Sequence, residues 1–332
     1  MHRLAVYGWD EETQPLLEAL QHAARFTVAA IGDRRASALI RARATTGSPC
    51  YQHALEMFRT ARYDAALLAT AEGAIQAAEG AANAGAAVCL VGDQADGATV
   101  VEVAETALRA HVAFAVLRPR LQQAGLAFLS DLAASEAGWR PNFLDISLAA
   151  PSGAIELSRD AVALANRLTH ATPASAVGSA QGSEELADST VLAAELRYST
   201  GHLASIRART APVELATLFA DCPLGQLEVR NEAGAATVTL SLRDGRRETS
   251  RLAARDTLSL EAARIVRVLA GEGNDALLAP RDGSVLLALE QSLDTGQVAA
   301  IEERSTRANL VLMEGRGTPT SSPRARLHLV GM

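Results

Sequence analysis

Short apolar runs alternate with segments of helical spacing through the first part of this sequence, and that alternation limits the folds open to it. Residues 3–7, 26–31, 65–69, 87–91 and 112–116 are apolar runs of strand length. The segments 13–23, 35–44, 74–84 and 97–110 between them carry helical spacing, as at Leu16, Leu17 and Leu20. An unbroken run such as Ala65-Ala66-Leu67-Leu68-Ala69 suits a parallel strand buried on both faces. Strands alternating with helices predict a Rossmann-type, doubly wound parallel sheet with helices on both faces.

The pattern changes near Trp139-Arg140-Pro141. A strand is expected at 143–149 and a helix at 158–168. Beyond Pro173, strand signals dominate at 191–198, 203–209, 225–229 and 236–242, with turns such as Ser199-Thr200-Gly201-His202 and Arg243-Asp244-Gly245 between them. Helices at 258–270 and 283–295 close the segment. The expected class is α/β: an N-terminal Rossmann-type domain over 1–118 and a C-terminal α+β domain over 119–304 with a largely antiparallel open sheet. Residues 305–332 read as an extension. Its apolar stretches at 309–313 and 327–330 are candidate edge strands for a neighbouring chain. The strands at 191–198, 203–209 and 236–242 look apolar on more than one side, which predicts an oligomer interface.

All 31 basic side chains are arginine, and the sequence contains no lysine. Schiff-base chemistry, a lysine general acid and a P-loop lysine are thereby excluded within this chain. Arginine is no substitute in proton transfer, because its pKa stays above about 12. The net charge of −7 is spread along the chain and offers no basic stripe for nucleic acid. No apolar run approaches the roughly 20 residues that span a bilayer, and no secretory signal is read at the N-terminus. The expectation is a cytoplasmic protein with no nucleic-acid or membrane partner. Cys50, Cys89 and Cys222 form no CxxC pair, so no metal site is expected and the thiols read as inert.

Several stretches in order carry a resemblance. Thr27-Val28-Ala29-Ala30-Ile31-Gly32-Asp33-Arg34, Cys50-Tyr51 with Ala54-Leu55-Glu56-Met57-Phe58, and Tyr63-Asp64-Ala65-Ala66-Leu67-Leu68-Ala69-Thr70 belong to the first half. Leu258-Ser259-Leu260-Glu261-Ala262-Ala263, Pro280-Arg281-Asp282-Gly283 and Gln291-Ser292 belong to the second. Over residues 1 to about 302 the sequence resembles the glucose–fructose oxidoreductase, inositol dehydrogenase and MocA (Gfo/Idh/MocA) family. The resemblance implies a nicotinamide cofactor, NAD or NADP, held near Gly8, Asp33, Arg34 and Thr70, and a sugar-like or polyol substrate.

The family's functional motifs are altered here. Its G-x-G-x-x-G turn reads Gly8-Trp9-Asp10-Glu11-Glu12-Thr13, so carboxylates stand where the pyrophosphate would dock. Acids at a helix start also cap free N–H groups, and both readings stay open. Asp33 matches a ribose-binding acid and equally an ordinary turn residue. Arg34 and Arg35 suit a 2′-phosphate or a solvated helix start. Where the family has E-K-P, this chain has Val91-Gly92-Asp93, so Gly92 replaces the lysine implied in proton transfer. The family's D-x-G-x-H-x-x-D aligns best with residues 156–163, with Asp160 in place of the histidine. No histidine lies between His111 and His170, and His170 reads as a partner for a helix C-terminal dipole. Glu156 and Asp160, four apart, are weak candidates for paired-carboxylate catalysis. Tyr7, Tyr198 and His202 are weaker still.

The leading expectation is a protein on this oxidoreductase scaffold that has lost catalysis and binds no cofactor. It would act as a binding or partner subunit, forming a homo-oligomer or a hetero-oligomer with an active homologue. The alternative is a divergent NAD(P)-dependent oxidoreductase acting on a sugar or polyol; a third reading is a sensor that takes a small sugar-like ligand in the family's substrate cleft.

Overall fold

The computed structural model describes residues 2–10, 13–23, 26–92, 94–182, 190–232, 234–272, 275–276 and 278–301. Glu11, Glu12, Asp93 and the C-terminal stretches at 309–313 and 327–330 lie outside them. The first half runs β1 (His2–Tyr7), α1 (Thr13–Ala23), β2 (Phe26–Gly32), α2 (Ala36–Thr46), β3 (Cys50–Tyr51), α3 (Ala54–Thr60), β4 (Ala65–Leu68), α4 (Ala74–Asn83), β5 (Ala87–Val91), α5 (Gly97–Arg109) and β6 (Phe114–Leu117). The strands lie in the order β3-β2-β1-β4-β5-β6, and every neighbouring pair is parallel. That order reverses direction between β1 and β4 and leaves a crevice at their carboxyl ends. The two-residue period of β1 feeds two cores. Leu4 and Val6 join Leu16, Leu17 and Leu20 of α1, whereas Ala5 and Tyr7 join Ala74, Ala77 and Ala78 of α4.

The second half contains α6 (Ala124–Ser135), β7 (Phe143–Ala150), α7 (Ala154–Thr169), β8 (Pro173–Gln181), β9 (Val191–Tyr198), β10 (Leu203–Thr210), β11 (Leu215–Cys222), β12 (Gly225–Glu232), β13 (Ala235–Leu242), β14 (Arg247–Leu252), α8 (Thr257–Leu269), α9 (Ala279–Thr295) and β15 (Ala299–Ala300). Its nine strands are ordered β14-β13-β12-β11-β7-β10-β9-β8-β15. Only β7 and β10 pair in parallel; the other neighbours are antiparallel. One face buries Leu144, Ile146, Leu192, Ile206 and Leu218 against α6, α7 and α9.

The other face corrects the expectation of a sheet apolar on both sides. β12 alternates buried and exposed residues without exception, and the outward positions carry Asp145, Glu195, Arg197, Arg207, Glu228 and Arg230. Arg207 pairs with Asp145 at 2.7 Å and Arg197 with Glu195 at 2.6 Å. Phe143 and Phe219, with ring centroids 6.3 Å apart, share this face with the charged residues, as do Val191, Leu203 and Leu215.

The last two helices return to the first sheet. Ala262, Ile265 and Val268 of α8 enter the core beneath α1. At the contact between α5 and α9 two glycines meet: a Cβ on Gly97 would stand 2.7 Å from the Gly283 carbonyl oxygen, and one on Gly283 would stand 2.8 Å from that of Gly97. No helix among the described residues is long and apolar enough to cross a membrane.

α7 ends at His170, which adopts the left-handed region at φ 51° as the C-cap. Burial, together with Arg140 and Arg281, holds its pKa below the ordinary histidine value. The imidazolium is thus disfavoured, while the ring stands at the helix C-terminus where the sequence placed it.

Two outcomes are expected. Gly283→Ala should cost about 1–3 kcal/mol through overpacking, read as a lower denaturant midpoint at unchanged slope; an unchanged midpoint would show that the helices move apart freely. For His170 the folded pKa lies below the unfolded one. Its stability contribution is therefore present above about pH 6.5 and is lost as pH falls through the lowered value. His170→Asn keeps a residue that tolerates the left-handed conformation. The variant should lose less melting temperature than the parent between pH 7 and pH 5.

Candidate functional site

At the crevice between β1 and β4 the chain turns at Gly8, with φ 93°. A Cβ there would lie 2.7 Å from Thr70 Cγ2 and 2.9 Å from the Ala69 carbonyl carbon, so only glycine fits this approach. Asp10 then closes the start of α1. Its Oδ1 accepts the backbone N–H of Thr13 at 2.7 Å and the Thr13 hydroxyl at 2.6 Å. Of the two readings left open for the acids here, Asp10 has the capping geometry.

Asp33, at the end of β2, is only 4% exposed. Its carboxylate accepts from the Trp9 N–H at 2.9 Å, the Arg35 N–H at 2.7 Å, Arg35 Nε at 3.0 Å and an Arg35 terminal nitrogen at 2.8 Å. Burial opposes the charged form, but these hydrogen bonds outweigh it and hold Asp33 below the usual carboxylate range. The same Arg35 nitrogen reaches the Trp9 carbonyl at 3.0 Å, folding the guanidinium across the turn. Arg34 is directed to Glu72 at 3.2 Å and Gln76 at 2.7 Å. Burial raises the Tyr7 phenol above its ordinary pKa, opposed by Arg34. Gly8, Asp33, Arg34 and Thr70 thus gather at one crevice, with Asp33 and Arg34 engaged by neighbours.

The ends of β5 and β6 carry a second cluster, with residues that the sequence reading missed. Beside Gly92, the space for a side chain is taken: a Cβ would lie 2.7 Å from Val116 Cγ1 and 3.0 Å from Arg118 Cζ. The Arg118 side chain is 1% exposed and that of Asp160, on α7, is 3% exposed. One Arg118 nitrogen donates to Asp160 Oδ1 at 3.1 Å, and lies 3.5 Å from the Gly92 carbonyl oxygen. Arg120 takes the other carboxylate oxygen at 2.5 Å, and also reaches Glu214 at 3.2 Å and Ser152 at 3.1 Å. At the positions the resemblance assigns to a lysine and a histidine, the fold therefore holds a glycine backed by Arg118 and an aspartate gripped by two arginines. A cavity of about 270 Å³ opens here, lined by Arg118, Arg120, Asp160, Glu214 and Thr257.

Glu156 does not join Asp160. It accepts the Gly153 N–H at 3.2 Å and closes the first turn of α7. Tyr198 is buried toward the other end of α7, beside Thr169, Arg281 and Asp282, and burial pushes its hydroxyl up to about 12. His202 stacks near it, with ring centroids 6.4 Å apart. Burial likewise pushes the thiols of Cys89 and Cys222 up to about 12. The one sequence signal for the arginine cluster was the pair Arg118 and Arg120 directly after an apolar strand.

No protein-family model and no curated protein matches this sequence. Solved structures do. An oxidoreductase from Agrobacterium radiobacter, in complex with NAD+, L-tartaric acid and magnesium, superposes with a TM-score of 0.76 at 15% identity, covering 90% of this chain and 98% of that one. An NAD-binding oxidoreductase from Klebsiella pneumoniae gives 0.75 at 15% identity, covering 91% and 99%. UDP-N-acetylglucosamine 3-dehydrogenase GnnA from Acidithiobacillus ferrooxidans gives 0.70 at 18% identity, covering 89% and 98%. With a six-stranded parallel sheet in the order β3-β2-β1-β4-β5-β6, a nine-stranded open sheet and these likenesses along nine-tenths of its length, the chain has the fold of the Gfo/Idh/MocA-type oxidoreductases.

Proposed function

We propose that this chain is a non-catalytic binding protein, or partner subunit, built on the Gfo/Idh/MocA oxidoreductase scaffold. The observation that carries this reading is the buried contact of Arg118 with Asp160 beside Gly92. Hydride transfer to or from a hydroxyl-bearing carbon needs a group that takes or gives the hydroxyl proton. A guanidinium does not, because its pKa stays above about 12. Asp160 has a carboxylate, but each oxygen is held by an arginine and its side chain is 3% exposed. A substrate would have to break both contacts to use it.

A nicotinamide dinucleotide does not fit the crevice residues as they stand. A ribose hydroxyl would compete with four internal donors for the Asp33 carboxylate, and a pyrophosphate would compete with Asp10 for the start of α1. Small side-chain rotations would not suffice, because Trp9 itself is 4% exposed and its N–H is one of the donors. Assembly with a second copy or with an active homologue belongs to the same proposal, and the face available for it is the polar one over β7, β11 and β12.

The likenesses favour a second reading, an NAD(P)-dependent oxidoreductase acting on a sugar or polyol. The related structures are named as oxidoreductases and dehydrogenases, and one was solved with NAD+. That reading requires the Arg35–Asp33 contact to open on cofactor binding.

The two readings separate in one titration. A ligand at 100 times its Kd stabilises a fold by about 2.7 kcal/mol. Under the first reading, neither NAD nor NADP should raise the melting temperature of the purified chain, nor should reduced cofactor be turned over with sugars or inositols. A saturable rise with either nucleotide would overturn it. Asp160→Ala supplies a further check. Removing one partner of a buried ion pair costs about 3–5 kcal/mol, so the variant should be markedly destabilised. Under the second reading, its loss of turnover should exceed what the unfolded fraction explains.

A further inference from the structure

Arg118 separates two cavities. Behind it, away from Asp160, lies one of about 300 Å³ between α6, the last turn of α7 and the start of α9. Its lining includes Arg118, Asn166, Arg167, His170, Arg281 and Asp282. We propose that this cavity binds a small metabolite carrying an oxyanion next to a hydroxyl group, with Arg167 as the charged anchor.

One terminal nitrogen of Arg118 is spent on Asp160, while the other is buried and has no hydrogen-bond partner among the described residues. Asn166 is 4% exposed; its amide nitrogen donates to Asp282 at 2.8 Å, while its carbonyl oxygen is buried without a donor. Buried polar atoms left unpaired are rare, because each loses its water and gains nothing in return. Here an orphaned donor and an orphaned acceptor border the same cavity. A carboxylate or phosphate answers the first, and a hydroxyl answers the second.

The charges point the same way. Arg167 makes no salt bridge among the described residues, and burial with the nearby Arg264 lowers its pKa, so its positive charge is held at a cost that an anion would relieve. Asp275 and Asp282 on the wall favour its charge, but each is already engaged by another side chain. Asp275 is bound to Arg264 and to the Val116 N–H. Asp282 accepts from Asn166, and burial pushes its carboxyl up toward the neutral form. Arg281 adds a third cation. The volume sits at the small end of the roughly 300–1,000 Å³ typical of ligand pockets, which suits a hydroxy acid or a small phosphate ester and excludes a dinucleotide.

The test is calorimetric titration of the full chain with glycerate, glycerol 3-phosphate and inorganic phosphate at fixed ionic strength. Saturable binding of at least one is expected. Arg167→Gln should weaken it tenfold or more, a bidentate charged donor being replaced by a neutral amide. Because Arg167→Gln alters a buried position, Ala134→Trp at the exposed rim is the companion variant; it should block the cavity while leaving the melting temperature unchanged. Arg35→Gln, in the β1–β4 crevice, should leave affinity as it was. Tighter binding of glycerate assigns a carboxylate ligand, and tighter binding of glycerol 3-phosphate assigns a phosphate ester. No saturable binding by any of the three, or binding indifferent to both Arg167→Gln and Ala134→Trp, would overturn the proposal. The outcome is separate from the cofactor titration, which reads the crevice on the other side of Arg118.

Discussion

Arg118 and Asp160 carry full charges into a place where neither side chain meets water, and much of the molecule is arranged around keeping them there. Arg118 stands at the end of β6 and Asp160 in the first half of α7, so the contact ties the parallel sheet to the helix that lines the open sheet. A buried pair of this kind is seldom a net gain over apolar packing, since the loss of hydration offsets most of the attraction. What it imposes is geometry. Arg120 supplies the second half of the grip and is itself fixed by Glu214 and Ser152. On the other side of β6, Arg264 of α8 reaches the Val116 carbonyl, Glu261 and Asp275. The result is two arginine–acid clusters beside the edge strand, one holding α7 and the other α8 to the first sheet.

The crevice at β1 and β4 is closed by the same chemistry on a smaller scale. A carboxylate at the end of β2 has four acceptor directions, and Asp33 uses all of them on Trp9 and Arg35. Gly8 makes the turn that the β1–α1 connection requires, and Asp10 caps the helix that follows. At this crevice Asp10, Asp33, Arg34 and Arg35 each hold another residue of the chain.

The parallel sheet was legible because its strands are short and apolar on both sides, and because helical spacing fills the gaps between them. The second half was less so, for reasons that differ by element. α6 is apolar around most of its circumference, as in Ala124-Gly125-Leu126-Ala127-Phe128-Leu129, so it shows no polar stripe to give it a period. β11 buries Ala216, Leu218, Ala220 and Cys222 yet turns Leu215 and Phe219 outward, which hides its alternation. β14, Arg247–Leu252, is an edge strand with almost no buried side chain and thus no hydrophobic signal. That Gly92 and Asp160 stand where the resemblance implies a lysine and a histidine was visible by position. The arginines around them were not, because an arginine after a strand reads as a surface residue until the fold shows that a glycine twenty-six positions earlier leaves room for it.

The absence of lysine acquires a physical meaning in this light. A lysine in a desolvated site can release its proton and so act in catalysis, whereas an arginine there keeps its charge and must be matched by an anion. Arg118, Arg120 and Arg264 are matched by Asp160, Glu214, Glu261 and Asp275. Arg167 lines a cavity without such a match among the described residues. At the positions that the resemblance assigns to catalysis, this chain has groups that hold negative charge in fixed directions, and a guanidinium does not move protons. That is why the same substitutions that argue against hydride transfer also argue for binding. The distinction between the two rests on where the unmatched guanidinium points, toward the cavity behind Arg118 and away from the crevice at β1 and β4.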